Sequence, residues 1–155
     1  MIPGYLNNPS ANEAFDRDGF YHTGDIVSCD AKTKLWYIVD RKKELIKVRG
    51  FQVAPPELEA VLLSHPKIVD VAVIGVAAGP DDGQLPRAYV VRRPGKAGEA
   101  LTEADLKAHF AGKLAKYKQL NGGVVFVPEI PKTASGKILK RVLREQAKRE
   151  MGAKL

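Results

Sequence analysis

The fold of this chain is decided in one stretch, Asp40-Arg41-Lys42-Lys43-Glu44-Leu45-Ile46-Lys47-Val48-Arg49-Gly50-Phe51-Gln52-Val53-Ala54-Pro55-Pro56-Glu57-Leu58-Glu59. Within it, Leu45, Ile46 and Val48 predict a short strand, because apolar and β-branched residues favour that conformation. Gly50 then permits a tight turn, or the close approach of a bulky group to the backbone. The pair Pro55-Pro56 predicts a helix start, because proline fixes φ and the glutamates that follow suit a helix N-terminus.

The length and composition are those of a small globular protein. The 155 residues suffice for one domain, or for one domain with a fragment of another, and 45% of them are hydrophobic. No apolar run approaches the ~20 residues of a membrane span. The single cysteine, Cys29, excludes an internal disulfide and suits a reducing compartment.

The net charge of +7 is concentrated near the C-terminus. From residue 132 onward only Glu145 and Glu150 oppose a run of basic residues, which are Lys132, Lys137, Lys140, Arg141, Arg144, Lys148, Arg149 and Lys154. Such a segment binds nucleic acid in some proteins and nucleotide or coenzyme phosphates in others. No zinc-finger, RNP-type or helix-turn-helix pattern accompanies it, so a nucleic-acid-binding domain is the less favoured alternative.

The N-terminal part predicts a loop followed by two strands. Residues 1–18 predict a loop with one short helix near Ser10 to Phe15. A strand pattern from Phe20 to Ser28 is interrupted at Thr23-Gly24-Asp25, and a second strand is predicted from Leu35 to Val39. Residues 31–34 predict a hairpin turn between them, and residues 40–43 a charged linker.

The remaining residues predict a compact α+β fold: a small mixed α/β domain in which a sheet packs with about three helices. Thr102 and Asp105 form a possible capping box for the second helix, and Leu106, Phe110, Leu114 and Tyr117 its apolar stripe. The predicted elements are the strands Leu45–Val48, Ile68–Val76, Ala88–Val91 and Val124–Val127 and the helices Pro56–Ser64, Glu103–Lys116 and Ile138–Glu150.

Three motifs in fixed order give a family resemblance. The opening stretch is preceded by Tyr21-His22-Thr23-Gly24-Asp25 and followed by Pro131-Lys132-Thr133-Ala134-Ser135-Gly136-Lys137. Together they resemble signatures of the adenylate-forming acyl-CoA ligases, which include 4-coumarate–CoA ligases, fatty acyl-CoA synthetases and luciferases. The resemblance covers essentially the whole chain, but only the last part of the family's usual length. It implies that residues 1–40 are the C-terminal remnant of the large AMP-binding domain and residues 41–155 the C-terminal lid domain.

The resemblance assigns two residues before the lid to ATP. It implies that Asp25 binds the ribose hydroxyls of ATP and AMP, since a carboxylate offers two acceptor oxygens. Arg41 matches a residue that contacts the ribose and phosphate region, and His22 is expected only to give packing or polar support. Without the other motifs, Thr23-Gly24-Asp25 would indicate an ordinary turn and Arg41 a solvated linker charge.

Further site residues are implied in the lid. Lys43 matches the family's hinge position, where a residue need only absorb a change of φ and ψ. Gly50 matches the position where the pantetheine of coenzyme A passes the backbone, and Arg49 is expected to meet a phosphate of coenzyme A. Lys47 and Gln52 match residues that face the adenylate in the thioester-forming state. Each residue alone would indicate only an exposed position on an edge strand.

The segment ending at Lys137 is not a phosphate-binding loop of the Gly-x-x-x-x-Gly-Lys-Ser/Thr type, because the first glycine and the final hydroxyl residue are missing. We expect a flexible loop that delivers one lysine at the start of a helix. Such a lysine can contact a substrate carboxylate and the α-phosphate together. The resemblance identifies Lys137 as the catalytic lysine, whereas in most proteins it would be an exposed residue.

The implied reaction has two steps, adenylation of a carboxylic acid by ATP and transfer of the acyl group to coenzyme A. Mg²⁺ is expected to be held by the ATP phosphates and the missing N-terminal part, and no His, Cys and Asp cluster here has the spacing of metal ligands. We expect the fragment to be inactive alone, and the acyl substrate is not specified. The alternatives are a stand-alone module that binds coenzyme A or nucleotide, and the basic nucleic-acid-binding domain.

The final residues Ala153-Lys154-Leu155 resemble the peroxisomal address Ser-Lys-Leu. They predict recognition by the peroxisomal import receptor and a peroxisomal location, with the cytoplasm as the alternative.

Overall fold

The computed structural model describes residues 4–79 and 83–152. The chain forms two compact units, Met1–Lys43 and Glu44–Leu155. Among the described residues, no helix combines the length and apolar character needed to cross a membrane.

The first unit contains a short helix and a two-stranded hairpin. Helix α1 spans Pro9–Asn12, and strands β1 (Asp25–Cys29) and β2 (Trp36–Arg41) pair antiparallel. The turn between the strands is held by Asp30, whose carboxylate accepts hydrogen bonds from the backbone of Lys32 and from both the backbone and the hydroxyl of Thr33. These hydrogen bonds, with those from Thr33 foremost, lower the pKa of Asp30. The predicted hairpin is confirmed.

Two details of the first unit differ from the prediction. Phe20 to Thr23 is not part of a strand, and only a single bridge joins Tyr21 to Phe15. Asp40 and Arg41 belong to β2 rather than to a linker, because Arg41 pairs with Asp25 across the ladder. Because Asp40 and Arg41 are charged, the sequence pattern indicated a linker at these two positions.

The second unit is a five-stranded sheet with helices, which confirms the predicted mixed α/β fold. The strands are β3 (Ile46–Val48), β4 (Phe51–Val53), β5 (Ile68–Gly79), β6 (Gly83–Arg92) and β7 (Val124–Phe126). Their order is β4-β3-β6-β5, all antiparallel, and β7 runs parallel to β6. The helices are α2 (Pro55–Leu63), α3 (Lys96–Glu99), α4 (Glu103–Phe110) and α5 (Lys140–Gly152), with a short 3₁₀ helix at Lys116–Lys118.

Both faces of this sheet are buried. Successive side chains of a strand point to opposite sides, and helices cover each side. On one face, Val71 and Val73 pack with Leu58 and Leu62 of α2 and with Phe110 of α4. A second core cluster, on the other face, joins Ala72, Ile74 and Tyr89 to Leu143 and Ala147 of α5. The unit is therefore a sheet between two helical layers. Burying each large apolar side chain contributes about 1.5–3 kcal/mol.

Helix α4 is shorter than predicted. It ends at Phe110, because Ala111 is extended and Gly112 adopts a φ of +79°. Leu114 and Tyr117 still pack against the core, but from the segment that follows the helix. The predicted capping box of Thr102 and Asp105 is confirmed, and its hydrogen bonds lower the pKa of Asp105.

Helix α5 begins at Lys140, two residues later than predicted. Leu139 therefore precedes the helix and is exposed. The buried positions of α5 are Leu143 and Ala147.

Two histidines meet where α2 and α4 pack together. The rings of His65 and His109 lie edge to face with centroids 4.9 Å apart, and Nε2 of His109 lies 3.0 Å from Oγ of Ser64. Partial burial lowers the pKa of His65, and the positive charges of His109, Lys67 and Lys113 lower it further, against the opposing effect of Asp105. Proton uptake by His65 is therefore less favourable in the folded chain than in the unfolded chain.

We expect the free energy of unfolding to fall as pH is lowered through about 6.5, the ordinary pKa of histidine. The unfolded chain binds the proton first, because the pKa of His65 is lowered only in the folded state. Urea unfolding at pH 8 and pH 5.5 measures this loss. Exchange of His65→Asn should reduce the loss, since Oδ1 of asparagine can replace the ring nitrogen that accepts from the backbone of Lys67. The exposed His22→Asn serves as control, and an unchanged pH dependence in His65→Asn would contradict the assignment.

Candidate functional site

The structure brings together the two residues assigned to ATP in the first unit. Asp25 begins β1 and Arg41 ends β2, so the two are directly paired, with Nε of Arg41 3.5 Å from Oδ1 of Asp25. The approach to Asp25 is fixed by Gly24, whose φ is +75° and whose carbonyl accepts from the backbone of Lys42. The Arg41 side chain is 60% exposed and the Asp25 side chain 25%. An acceptor for hydroxyl groups and a cation for phosphate therefore lie side by side.

His22 contacts the segment before β1. Its Nε2 is 3.6 Å from Oδ2 of Asp16, and its backbone N–H donates to the carbonyl of Ala14. This arrangement fits the supporting role expected of His22.

The stretch around Gly50 forms a hairpin that the sequence predicted only in part. Arg49 and Gly50 have φ angles of +46° and +85°, which is the pattern of a two-residue type I′ turn. Strand β4, which was not predicted, pairs with β3 and places Lys47 directly opposite Gln52. Both side chains are exposed, whereas Ile46 and Val48 on the other face are buried. Lys47 and Gln52 thus form one polar patch on a rigid hairpin.

A groove of about 420 Å³ lies beside this turn. Its wall includes Phe51 and Tyr117, whose rings are stacked with centroids 4.4 Å apart and an angle of 14° between their planes. The groove is lined by Val48, Arg49, Phe51, Leu85, Lys116, Tyr117 and Asn121. Cations and a flat aromatic surface are the groups that bind a nucleotide carrying several phosphates. The sequence analysis missed Phe51, Lys116 and Tyr117, because the parts of the groove lie far apart along the chain.

Gly50 is explained by the turn itself. A Cβ atom added there would meet no atom of the protein within 4 Å, so glycine is required by the backbone angle and not by internal crowding. The expected passage of pantetheine beside Gly50 stays a prediction.

Lys137 lies in a loop and not at a helix start, since α5 begins at Lys140. The loop is closed by hydrogen bonds from the backbone N–H of Leu139 to the carbonyl of Pro131 (2.8 Å) and from Thr133 N–H to the carbonyl of Lys137 (2.8 Å). Gly136, at a φ of +81°, makes the turn. Lys137 is exposed, and no carboxylate among the described residues lies within ion-pairing distance of it. The expected loop has the form of a small, internally hydrogen-bonded hairpin.

Much of the basic segment is neutralised by acids from elsewhere in the chain. Lys132 pairs with Asp70, Lys140 with Glu59 and Arg144 with Glu44. Among the described residues, Arg141 pairs with Glu145 within α5. Part of the positive charge of the segment is therefore paired with acids, whereas Lys137, Lys148 and Arg149 have no ion-pair partner among the described residues. The pairing weakens the nucleic-acid alternative only in part.

The lysines of the two motifs lie toward opposite edges of the sheet. Lys47 is on the β3–β4 hairpin at one edge, whereas the Lys137 loop is joined through Lys132 to Asp70 of β5, the strand at the other edge. Strands β3 and β5 are separated by β6, which corresponds to about 10 Å between their axes. The two lysines therefore present two separate cationic sites.

The other predicted features are placed as follows. Lys43 is the last residue of the first unit and is exposed. Within residues 4–79 and 83–152, no group of three or more His, Cys, Asp and Glu side chains is placed to hold a metal ion. Ala153-Lys154-Leu155 lies outside the described residues, and peroxisomal delivery stays a prediction.

Known proteins are similar to this chain in sequence over nearly its whole length. Residues 57–137 match the family described as AMP-binding enzyme C-terminal domain. The acyl-CoA synthetase ACTT5 of Alternaria alternata is 64% identical over 150 residues, which are 95% of this chain and 25% of that protein. The phenylacetyl-CoA ligase epaB of Aspergillus niger is 57% identical over 147 residues, which are 94% of this chain and 26% of that protein.

A similar fold occurs in a solved structure. The crystal structure of ATP-bound MatB from Rhodopseudomonas palustris has a TM-score of 0.81 at 36% identity, over 94% of this chain and 28% of that chain. The present chain thus spans about a quarter of the length of the curated relatives that it matches.

The sheet, the hairpin around Gly50 and the Lys137 loop together define the small α/β domain of the adenylate-forming enzymes. This chain belongs to the AMP-binding enzyme C-terminal domain family, and the resemblance drawn from its three motifs is confirmed.

Replacing Gly50 by alanine should destabilise this chain by about 1 kcal/mol, because a side chain at positive φ is strained. Gly50→Asn should cost clearly less, since asparagine tolerates the left-handed region. Urea unfolding of the three proteins measures the difference. An alanine variant as stable as the parent would contradict the turn assignment.

Proposed function

We propose that this chain is the C-terminal domain of an ATP-dependent, AMP-forming acyl-CoA ligase. The observation that carries the proposal is the placement of Lys47 and Lys137 on separate elements toward opposite edges of one sheet. Both lysines are exposed, and neither has an acidic partner in the part of the chain that the structure describes. Two separate cationic sites suit an enzyme with two consecutive half-reactions.

In the first half-reaction, a carboxylate oxygen of the substrate attacks the α-phosphorus of ATP and pyrophosphate leaves. Lys137 would contact the attacking carboxylate and the α-phosphate, where its ammonium group offsets the negative charge that gathers in the transition state. Asp25 would accept hydrogen bonds from the ribose hydroxyls, and Arg41 would lie toward the phosphates. Mg²⁺ would neutralise the phosphates of ATP, held by them and by groups outside this chain.

In the second half-reaction, the thiolate of coenzyme A attacks the acyl carbonyl and AMP leaves. Lys47 and Gln52 would then face the adenylate, and the thiol arm would pass Gly50, where no side chain obstructs it. The groove beside the turn suits the nucleotide end of coenzyme A: Phe51 and Tyr117 offer a stacking surface, and Arg49 and Lys116 offer cations for phosphate. This groove extends the set of expected site residues.

The change between the two sites requires the domain to turn relative to the rest of the enzyme. Lys43 is the natural pivot, because it is exposed and lies at the boundary between the two compact units. A rotation there would replace the Lys137 loop by the Lys47 hairpin at one fixed adenylate.

A stand-alone module that binds coenzyme A is the second candidate, and the groove beside Gly50 is the observation that favours it. It would bind coenzyme A without contributing to either half-reaction. The half-reaction experiment below separates the two candidates.

The first test uses a chimera in which this chain replaces the corresponding C-terminal quarter of the Alternaria acyl-CoA synthetase. A panel of alkyl and aryl carboxylic acids is first screened for pyrophosphate release. Lys137→Ala should then slow adenylate formation by about 10²–10³-fold, the usual effect of losing one fixed donor to a developing charge. Lys47→Ala should instead slow the conversion of synthetic acyl-adenylate to thioester.

Single-turnover assays of each half-reaction make this measurement. Lys107→Ala is the matched control, since Lys107 forms only an exposed ion pair with Glu103 on α4. Equal losses in both half-reactions for both variants would contradict the alternation. Unchanged rates throughout would favour the binding module.

The second test concerns coenzyme A. In the same chimera, Lys116→Gln and Phe51→Leu should each raise the KM for coenzyme A by about tenfold and leave the KM for ATP unchanged, since a stacked base is worth ~1–3 kcal/mol. Dephospho-coenzyme A should show a smaller response to Lys116→Gln if the 3′-phosphate meets that lysine. Lys113→Gln is the control, and an unchanged KM for coenzyme A would place the nucleotide elsewhere.

A further inference from the structure

The outer edge of β5 is covered by carboxylates instead of a further strand. Val71 and Val73 pair with Val90 and Ala88 of β6, whose own backbone groups bond to the β7 side. The N–H groups of Val71 and Val73 accordingly point outward. Val73 N–H donates to Oε1 of Glu59 (2.9 Å) and Val71 N–H to Oδ1 of Asp70 (3.0 Å). Two backbone donors on the outer edge of β5 are thereby satisfied by acids.

The same two acids hold lysines that flank the Lys137 loop. Oδ2 of Asp70 accepts from Nζ of Lys132 at 2.6 Å, and Nζ of Lys140 lies 3.4 Å from Oε1 of Glu59. The Glu59–Lys140 pair is well buried, since each side chain is 14% exposed. Lys132 lies five residues before Lys137 and Lys140 lies three residues after it. Each end of the loop is thus fastened to the edge of β5.

The loop between these anchors is closed by its own backbone hydrogen bonds. A bridge joins Lys132 to Ile138, and the backbone hydrogen bonds of Thr133 and Leu139 close the loop on itself. Internal closure fixes the shape of the loop but not its direction relative to the sheet. The direction depends on the ion pairs at its two ends, together with Ile130 and Ile138, which pack in the second core cluster.

We propose that Asp70 and Glu59 are positioning residues for Lys137. Through Lys132 and Lys140 they set the direction in which the loop presents the Lys137 ammonium group. The proposal rests on the proposed function of Lys137 in adenylation, and it adds to that function two acids far away in sequence. Neither acid touches a substrate.

The expected effect is kinetic more than thermodynamic. The Asp70–Lys132 pair is partly exposed, so its loss changes stability little. A displacement of a catalytic group by about 1 Å can nevertheless cost on the order of 10²-fold in rate. A partial loss of anchoring should therefore slow adenylation by about five- to tenfold.

The experiment uses the chimera and both half-reaction assays. Asp70→Asn should slow adenylate formation by about five- to tenfold, and it should leave conversion of synthetic acyl-adenylate to thioester within about twofold of the parent, because Lys47 is on another element. The charge-exchanged double variant Asp70→Lys with Lys132→Asp should recover part of the loss. Glu145→Gln is the control, since it removes an acid of α5 whose partner, Arg141, does not hold the loop.

Lys132→Met provides a second variant, which removes the cation and keeps the aliphatic stem. Adenylation at the parent rate in both Asp70→Asn and Lys132→Met, with Lys137→Ala still slow, would overturn the positioning role alone. Equal slowing of both half-reactions would also overturn it, because a general structural defect affects both. A Lys137→Ala variant with normal adenylation would instead overturn the proposed function itself.

Discussion

The antiparallel ladder of β5 and β6 is the constraint on which the second unit depends. Its side chains are buried on both faces, so the run from Val71 to Ile74 must be apolar at every position and helices must cover both sides. Helix α5 covers one face, while α2 and α4 cover the other. The ladder also supplies the supports for the site: the β3–β4 hairpin joins β6 at Gly83, and the Lys137 loop is fastened to the outer edge of β5.

Local signals in the sequence were sufficient where one short segment determines its own structure. Pro55-Pro56 marked the start of α2 to within one residue, and Thr102 and Asp105 marked the start of α4. The same approach failed where the structure depends on a partner. Strand β4 has only three residues and is recognisable only once the turn at Arg49-Gly50 is known, and α4 ends early although its apolar spacing continues to Tyr117.

In the candidate site too, single residues could be identified from the sequence but the partners that surround them could not. The motif residues Asp25, Arg41, Lys47 and Lys137 could be named from the sequence, because their spacing follows a family pattern. Their surroundings could not, since the stacking partner of Phe51 and the acid that holds Lys132 lie more than 60 residues away from them. The charge pattern was incomplete for the same reason: the acidic partners of Lys132, Lys140 and Arg144 come from β5, α2 and Glu44.

The carboxylates on the outer edge of β5 affect the tendency of such a domain to aggregate in solution. An open edge of a sheet recruits further strands from neighbouring molecules, and a long apolar strand such as β5 would be a strong template for aggregation. In the proposed function the domain turns between two half-reactions, and such a domain cannot rely on a permanent neighbour to hide that edge. Glu59 and Asp70 accept hydrogen bonds from the outward N–H groups of Val73 and Val71, so these groups are paired within the chain. The opposite edge strand, β4, is only three residues long. A domain that turns as proposed can therefore remain monodisperse, because its own side chains pair with the outward groups of the sheet edge.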